Sequence, residues 1–277
     1  MGTSTSSSGP RSGVSLSPSW LEELTIVTPN VGSEEPGEQD SEQSSSQMEE
    51  DEVAPPRRYA DAKRELGKFV RTGNISSLSR GIGHYSRTGM GGSRKLTARM
   101  RASANAGASL VSFLQGVRDG SASQIASWLQ NLLASNPSSE EVADAIVQEL
   151  AGPGGSIDEE SMRDSMSLAI SELLMVQPDV ELLNMSDADT WTLLQLFLSH
   201  EVCNRLAFDI GQFFESARLD PGLAVQRELE MRAYVKNEVG GQLATLRLAN
   251  PNPTRPQLEA LVSEALRMTF EAYEGTL

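Results

Sequence analysis

Ser186-Asp187-Ala188-Asp189-Thr190-Trp191-Thr192-Leu193-Leu194-Gln195-Leu196-Phe197-Leu198-Ser199-His200-Glu201-Val202-Cys203-Asn204-Arg205-Leu206 opens the stretch that decides the fold. From Trp191 the apolar residues recur at Leu194, Leu198, Val202, Leu206, Ile210 and Phe213. Spacings of three and four mark one face of an α-helix, not the alternation of a strand. The acids after Ser186 suit the positive end of that helix. The pattern predicts a helix of about thirty residues ending near Ala217. It carries five of the fourteen aromatic residues, so it is expected to form the centre of the core.

The same period runs outward in both directions. Downstream, Asp220-Pro221 combines an N-cap with proline at the first helical position, and Val235, Val239, Leu243 and Leu246 continue past Gly240-Gly241. Asn250-Pro251-Asn252-Pro253 breaks the chain. Thr254 caps a last helix with Leu258, Leu261, Val262, Ala265, Leu266 and Tyr273 turned inward. Upstream, Ser138-Ser139-Glu140-Glu141 is a capping box in which Ser138 and Glu141 satisfy each other's amides; Gly152-Pro153 ends that helix. Asp158-Glu159-Glu160 opens another that runs to Val176, with Met162, Met166, Ala169, Ile170, Leu173 and Leu174 as its stripe. The methionines at 162, 166, 175 and 231 are expected on apolar faces, as core filler or a groove for a partner helix. Further helices are expected over Arg57–Arg71, Leu96–Arg118 and Ala122–Leu133, the last with Ile125, Trp128, Leu129, Leu132 and Leu133 inside. No stretch reads as a strand. The expected fold is all-α, an irregular helical bundle behind a long, disordered, acidic N-terminal tail.

Charge divides the 277 residues into three parts. Residues 1–56 carry eleven acids against Arg11 alone; residues 57–118 carry thirteen bases against Asp61 and Glu65; the remainder carries nine bases and twenty-five acids. We therefore distinguish a tail (1–56), a basic glycine-rich helical segment (57–119) and an acidic α-helical domain (120–277). A single cysteine, Cys203, excludes an internal disulfide and suits a reducing compartment. No secretory leader is recognised, and no apolar run approaches the roughly 20 residues of a membrane helix. A cytoplasmic protein without a membrane segment is expected.

The tail is Ser, Thr, Glu, Gln, Gly and Pro apart from Trp20-Leu21-Glu22-Glu23-Leu24-Thr25-Ile26-Val27. Such a composition cannot bury enough apolar surface to offset the cost of ordering the backbone, about 1–2 kcal/mol per residue. The island docks on a partner or on the chain's own body, with Trp20 and Leu21 as its anchors. At the start, Met1-Gly2-Thr3-Ser4-Thr5-Ser6-Ser7-Ser8 offers a small second residue, the condition for removing the initiator methionine. That leaves Gly2 as an unhindered α-amine. The same start fits the myristoylation pattern, but one acyl chain beside an acidic tail is repelled by anionic lipid.

Arg80-Gly81-Ile82-Gly83-His84-Tyr85-Ser86-Arg87-Thr88-Gly89-Met90-Gly91-Gly92-Ser93-Arg94-Lys95 is the most unusual composition in the chain. Five glycines and four bases, counting Lys95 but not His84, predict a mobile cationic loop. Arg80, Arg87, Arg94 and Lys95, with Arg99 and Arg101 beyond, are candidates for binding an anion or nucleic acid; pairing with the chain's own acidic parts is the other reading. The phosphate-loop pattern is not present. Elsewhere the chemistry is sparse. His200 and Cys203 stand at i and i+3, but a zinc site needs a second pair, so no metal is expected and the two are assigned to core or interface. Every acid pair stands at a helix start, where a structural role suffices. No catalytic residue and no bound cofactor is expected, and the chain is read as a non-enzyme.

Two segments carry a resemblance. The start through Ser17-Pro18-Ser19-Trp20, and the Tyr-x-Arg-Thr-Gly-x-Gly-Gly run from Tyr85 to Gly92, resemble the QatB family of the bacterial Qat anti-phage defence system. Members of this family are encoded beside an ATPase (QatA), a QueC-like enzyme (QatC) and a TatD-like nuclease (QatD). QueC enzymes use ATP to activate a 7-carboxy-7-deazaguanine and pass it to an amine. The resemblance implies that the chain is the protein substrate of a QatC-type enzyme. Gly2 would receive a covalent 7-deazaguanine amide, Thr3 and Ser4 would follow it into the enzyme, and the body would engage that enzyme, the ATPase, or both.

Overall fold

The computed structural model describes residues 57–120, 123–151, 156–211 and 220–277. The tail, with Gly2, Thr3, Ser4, Trp20 and Leu21, lies outside the described residues. These form α1 (Ala60–Thr72), α2 (Ile75–His84), a π-turn (Tyr85–Gly89), α3 (Ser93–Arg99), α4 (Arg101–Asp119) and α5 (Ser123–Ala134). Then follow α6 (Ser139–Ala151), α7 (Ile157–Val176), a 3₁₀ turn (Leu182–Asn184), α8 (Asp187–Ile210), α9 (Pro221–Ala249) and α10 (Arg255–Glu274). No strand occurs among the described residues, and the architecture is all-α.

Helix α8 is the centre of the bundle. Leu193, Leu194, Phe197, Leu198, Val202 and Leu206 are wholly buried, each burial being worth about 1.5–3 kcal/mol. Helices α7, α9 and α4 pack around it, and α10 packs against α4, α9, α2 and α3. The basic and acidic segments thus share one compact unit. The expected end of α8 near Ala217, including Phe213, falls outside the described residues.

Helix starts follow the sequence closely. Glu141 N donates to Ser138 Oγ at 3.2 Å, and Ser138 N donates to Glu141 Oε2 at 2.7 Å. Ser186 accepts from Asp189 N, Asp220 accepts from Gly222 N, and Thr254 N donates to Gln257. Ser156 and Glu159 form a further box ahead of α7. Each such cap stabilises by about 1 kcal/mol.

Four expectations need correction. The stretch from Arg80 to Lys95 is not a mobile loop: it is helix, π-turn and helix, with Gly81, Ile82, Gly83, Tyr85, Ser86 and Gly89 buried. Its glycines serve close approach. A Cβ at Gly81 would stand 2.6 Å from Leu66, one at Gly83 2.5 Å from the carbonyl oxygen of Tyr273, and one at Gly89 2.6 Å from the Tyr59 ring. The helix expected over Leu96–Arg118 is interrupted at Met100, which separates α3 from α4. Helix α5 buries none of its residues fully. Its Trp128 meets Phe113 edge-on at 4.9 Å, while Leu133 is exposed. Finally, Met166 and Met231 are core, but Met175, beyond the last buried turn of α7, is exposed.

Three hydroxyls join the α2–α3 region to α10 and the residues just after it. Ser79 Oγ donates to Thr276 Oγ1 at 3.0 Å, Ser86 Oγ to Glu274 at 2.5 Å, and Ser93 Oγ to Glu271 at 3.4 Å.

Candidate functional site

The π-turn opens the surface on which the candidate cations lie. Met90 N donates to Tyr85 O, and Gly92 N to Ser86 O, both at 2.9 Å. The extra residue widens the helix there, a distortion often found at functional sites. Tyr85 turns inward, stacked on Tyr59 at 5.9 Å between ring centroids. Its hydroxyl donates to Asp209 Oδ2 at 2.6 Å, and burial, aided by Asp209, pushes the phenol well above its ordinary value.

The six candidate cations do not behave alike. Arg80 lies against Glu65 at 3.5 Å. Glu65 is buried and also holds Lys68 at 2.6 Å, whose hydrogen bond keeps its carboxyl below the usual range. Arg80 is thereby engaged internally. Arg87, Arg94, Lys95, Arg99 and Arg101 are all exposed, on successive turns from position 87 to 101. Arg99 touches the Met90 sulfur at 3.7 Å. Arg87, Arg94 and Arg101 have no ion-pair or hydrogen-bond partner among the described residues.

Beside Arg99 a cavity of about 500 Å³ opens between α4 and α8. Its floor is Glu201, only 4% exposed, which accepts from Ser103 Oγ at 2.5 Å and Ser161 Oγ at 3.1 Å. Burial raises the Glu201 carboxyl against the opposing pull of Ser103, Ser165 and Ser161. Arg205 bridges Asp209 at 3.3 Å and Asp158 at 3.2 Å, and Phe208 stands exposed at the rim. Both serine hydroxyls are spent on the carboxylate, so the arrangement is a polar brace across α4, α7 and α8. Sequence reasoning missed Glu201, Arg205 and Asp209. Their spacing of four, which sets the three on one face of α8, was the available signal.

His200 and Cys203 are buried, as assigned. Burial pushes the Cys203 thiol up to about 12, far from a reactive thiolate. Among the described residues no group of three or more His, Cys, Asp or Glu could hold a metal ion. No described helix is long and apolar enough to cross a membrane.

Residues 91–273, well over half of the chain, match the family model of QatB, the Qat anti-phage system associated protein. The chain belongs to the QatB family. The match takes in α3 through most of α10, together with Arg94, Lys95, Arg99, Arg101 and the Glu201 cavity. Gly2, the Trp20 island, Arg80 and Arg87 precede it. No curated protein and no solved structure matches the chain. Membership of QatB places this protein in anti-phage defence.

Proposed function

We propose that this QatB-family chain is a non-enzymatic component of its defence system, the protein substrate of a QueC-like enzyme. The observation that carries the reading is the start Met1-Gly2 followed by six Ser and Thr residues, on a chain of the QatB family. After methionine removal the Gly2 amine attacks the ATP-activated carboxyl of a 7-carboxy-7-deazaguanine. An amide forms, the activating group leaves with the carboxyl oxygen it carries, and the amine gives up a proton. Thr3 and Ser4 follow the amine into the enzyme, Trp20 and Leu21 dock on it, and the helical body serves as an interaction module for the system's ATPase. Buried His200 and Cys203 and the fully engaged Glu201 are in keeping with a chain that is acted upon.

Intact-mass measurement after co-expression with the neighbouring QueC-like enzyme tests this. A mass increase equal to the acid less one water, located at Gly2 by fragmentation and lost in Gly2→Glu, is expected. An unmodified Gly2, or the same adduct on the variant, overturns it.

One observation favours a second reading, a nucleic-acid-binding adaptor. Arg87, Arg94, Lys95, Arg99 and Arg101 are all exposed between positions 87 and 101. Phosphate binding by such residues would weaken with salt, by a slope of about 0.9 per phosphate contacted. Binding that is absent or indifferent to salt excludes it.

A further inference from the structure

Between α8 and α9, at the end remote from the Glu201 brace, lies a cavity of about 560 Å³. Its walls are apolar: Trp191, Leu243, Ala244, Leu248 and Pro251 contribute most of the lining. Leu248, 84% exposed, adds apolar surface at the mouth of the cleft. The donors of the wall's uncharged polar side chains are already used. Gln195 Nε2 donates to Lys236 O at 2.9 Å, an approach that only glycine at 240 allows, and Thr192 Oγ1 donates to Ala188 O at 2.9 Å.

Arg247 is the exception. Its guanidinium lies over the Trp191 ring, 5.0 Å from the centroid, held by the ring face. Other bases of this acidic half hold a carboxylate: Arg205, Arg227, Arg232, Lys236, Arg255 and Arg267 each have one within 3.6 Å. Arg247 has none among the described residues, and the cavity lining contains no acid. An apolar cleft of several hundred Å³ with one preset polar group is the usual form of a small-ligand site. The unspent group is a cation, so the complementary ligand is an anion with an apolar body.

We propose that the Trp191–Arg247 cleft binds a small amphipathic carboxylate, its apolar body against Trp191, Leu243 and Leu248 and its carboxylate on the Arg247 guanidinium. The proposal is independent of the reading of Gly2.

Calorimetric titration of the full chain with decanoate, decanol and decylammonium tests it. Decanoate should bind, and decanol and decylammonium at least tenfold more weakly. Arg247→Ala should weaken decanoate at least tenfold while leaving decanol unchanged, and Arg247→Glu should exchange the preference in favour of decylammonium. Ala244→Trp, which fills the cleft from an exposed position, should abolish decanoate binding with the helical circular-dichroism signal intact. Failure of the wild-type chain to bind millimolar decanoate overturns the proposal. So does equal binding of the three probes, or decanoate affinity unchanged in both Arg247→Ala and Ala244→Trp.

Discussion

The Nη1 of Arg232 lies 3.0 Å from Nδ1 of His200, and because a guanidinium only donates, that ring nitrogen is an unprotonated acceptor. Nε2 therefore carries the proton and donates to Glu172 Oε2, also at 3.0 Å. Lys236 completes the group at 2.8 Å from Glu172. One neutral imidazole thus links α7, α8 and α9.

The linkage gives a pH dependence. Burial, then the Arg232 charge, holds the ring below its ordinary value of 6.5. The unfolded chain therefore binds this proton more readily than the folded one. The stability contributed by the neutral ring is present near neutral pH and is lost as pH falls from about 6.5 through the ring's own lower value. Thermal melts from pH 7.5 to 5.5 should show a falling midpoint. His200→Gln keeps both hydrogen bonds without the titration and should fall less; equal slopes refute the assignment.

Two glycines should respond oppositely to alanine. Gly83→Ala places a Cβ against the Tyr273 carbonyl, an immovable backbone atom, and should destabilise by about 1–3 kcal/mol. Gly241 has open space around its Cβ position within α9, so Gly241→Ala should stabilise by up to about 1 kcal/mol. Urea denaturation of both variants provides the comparison.

The fold was legible wherever one local rule governs. The capping box at Ser138, the cap at Thr254, the Asp220-Pro221 start and the apolar period of α8 depend on neighbours a few residues away. The region from Arg80 to Lys95 was misread because glycine has two meanings. Alone it signals freedom; beside Leu66, Tyr273 and Tyr59 it signals that another surface arrives there. Those partners are remote in sequence. The Glu201 brace and the Trp191–Arg247 cleft were hidden for the same reason: each is assembled from helices whose pairing no spacing rule reveals.

The basic residues should separate in mutagenesis. Arg80→Ala removes a partly exposed ion pair with Glu65 and should cost roughly 0–1 kcal/mol, without altering nucleic-acid affinity. Arg87→Ala and Arg94→Ala should leave stability within about 0.5 kcal/mol. If the second functional reading holds, they lower affinity for a DNA duplex and reduce its salt slope; fluorescence anisotropy at several salt concentrations measures both.

Cys203 offers a probe of opening. With its thiol pushed up to about 12 and wholly enclosed, it should resist dithionitrobenzoate in the native chain and react at once in denaturant. Rapid labelling under native conditions would show that the α8 core breathes.

The hydroxyl contacts joining α2 and α3 to α10 also bear on synthesis. Ser79 meets Thr276 across 197 residues. At 5–20 residues per second, a ribosome takes about 10–40 s to deliver that partner. Throughout this interval the buried Leu78 and Ile82 have been synthesised while α10, which packs against their helix, has not. The nascent chain therefore carries its apolar early helices without their α10 partner until that helix has been made, and truncation ahead of α10 would leave their packing face open.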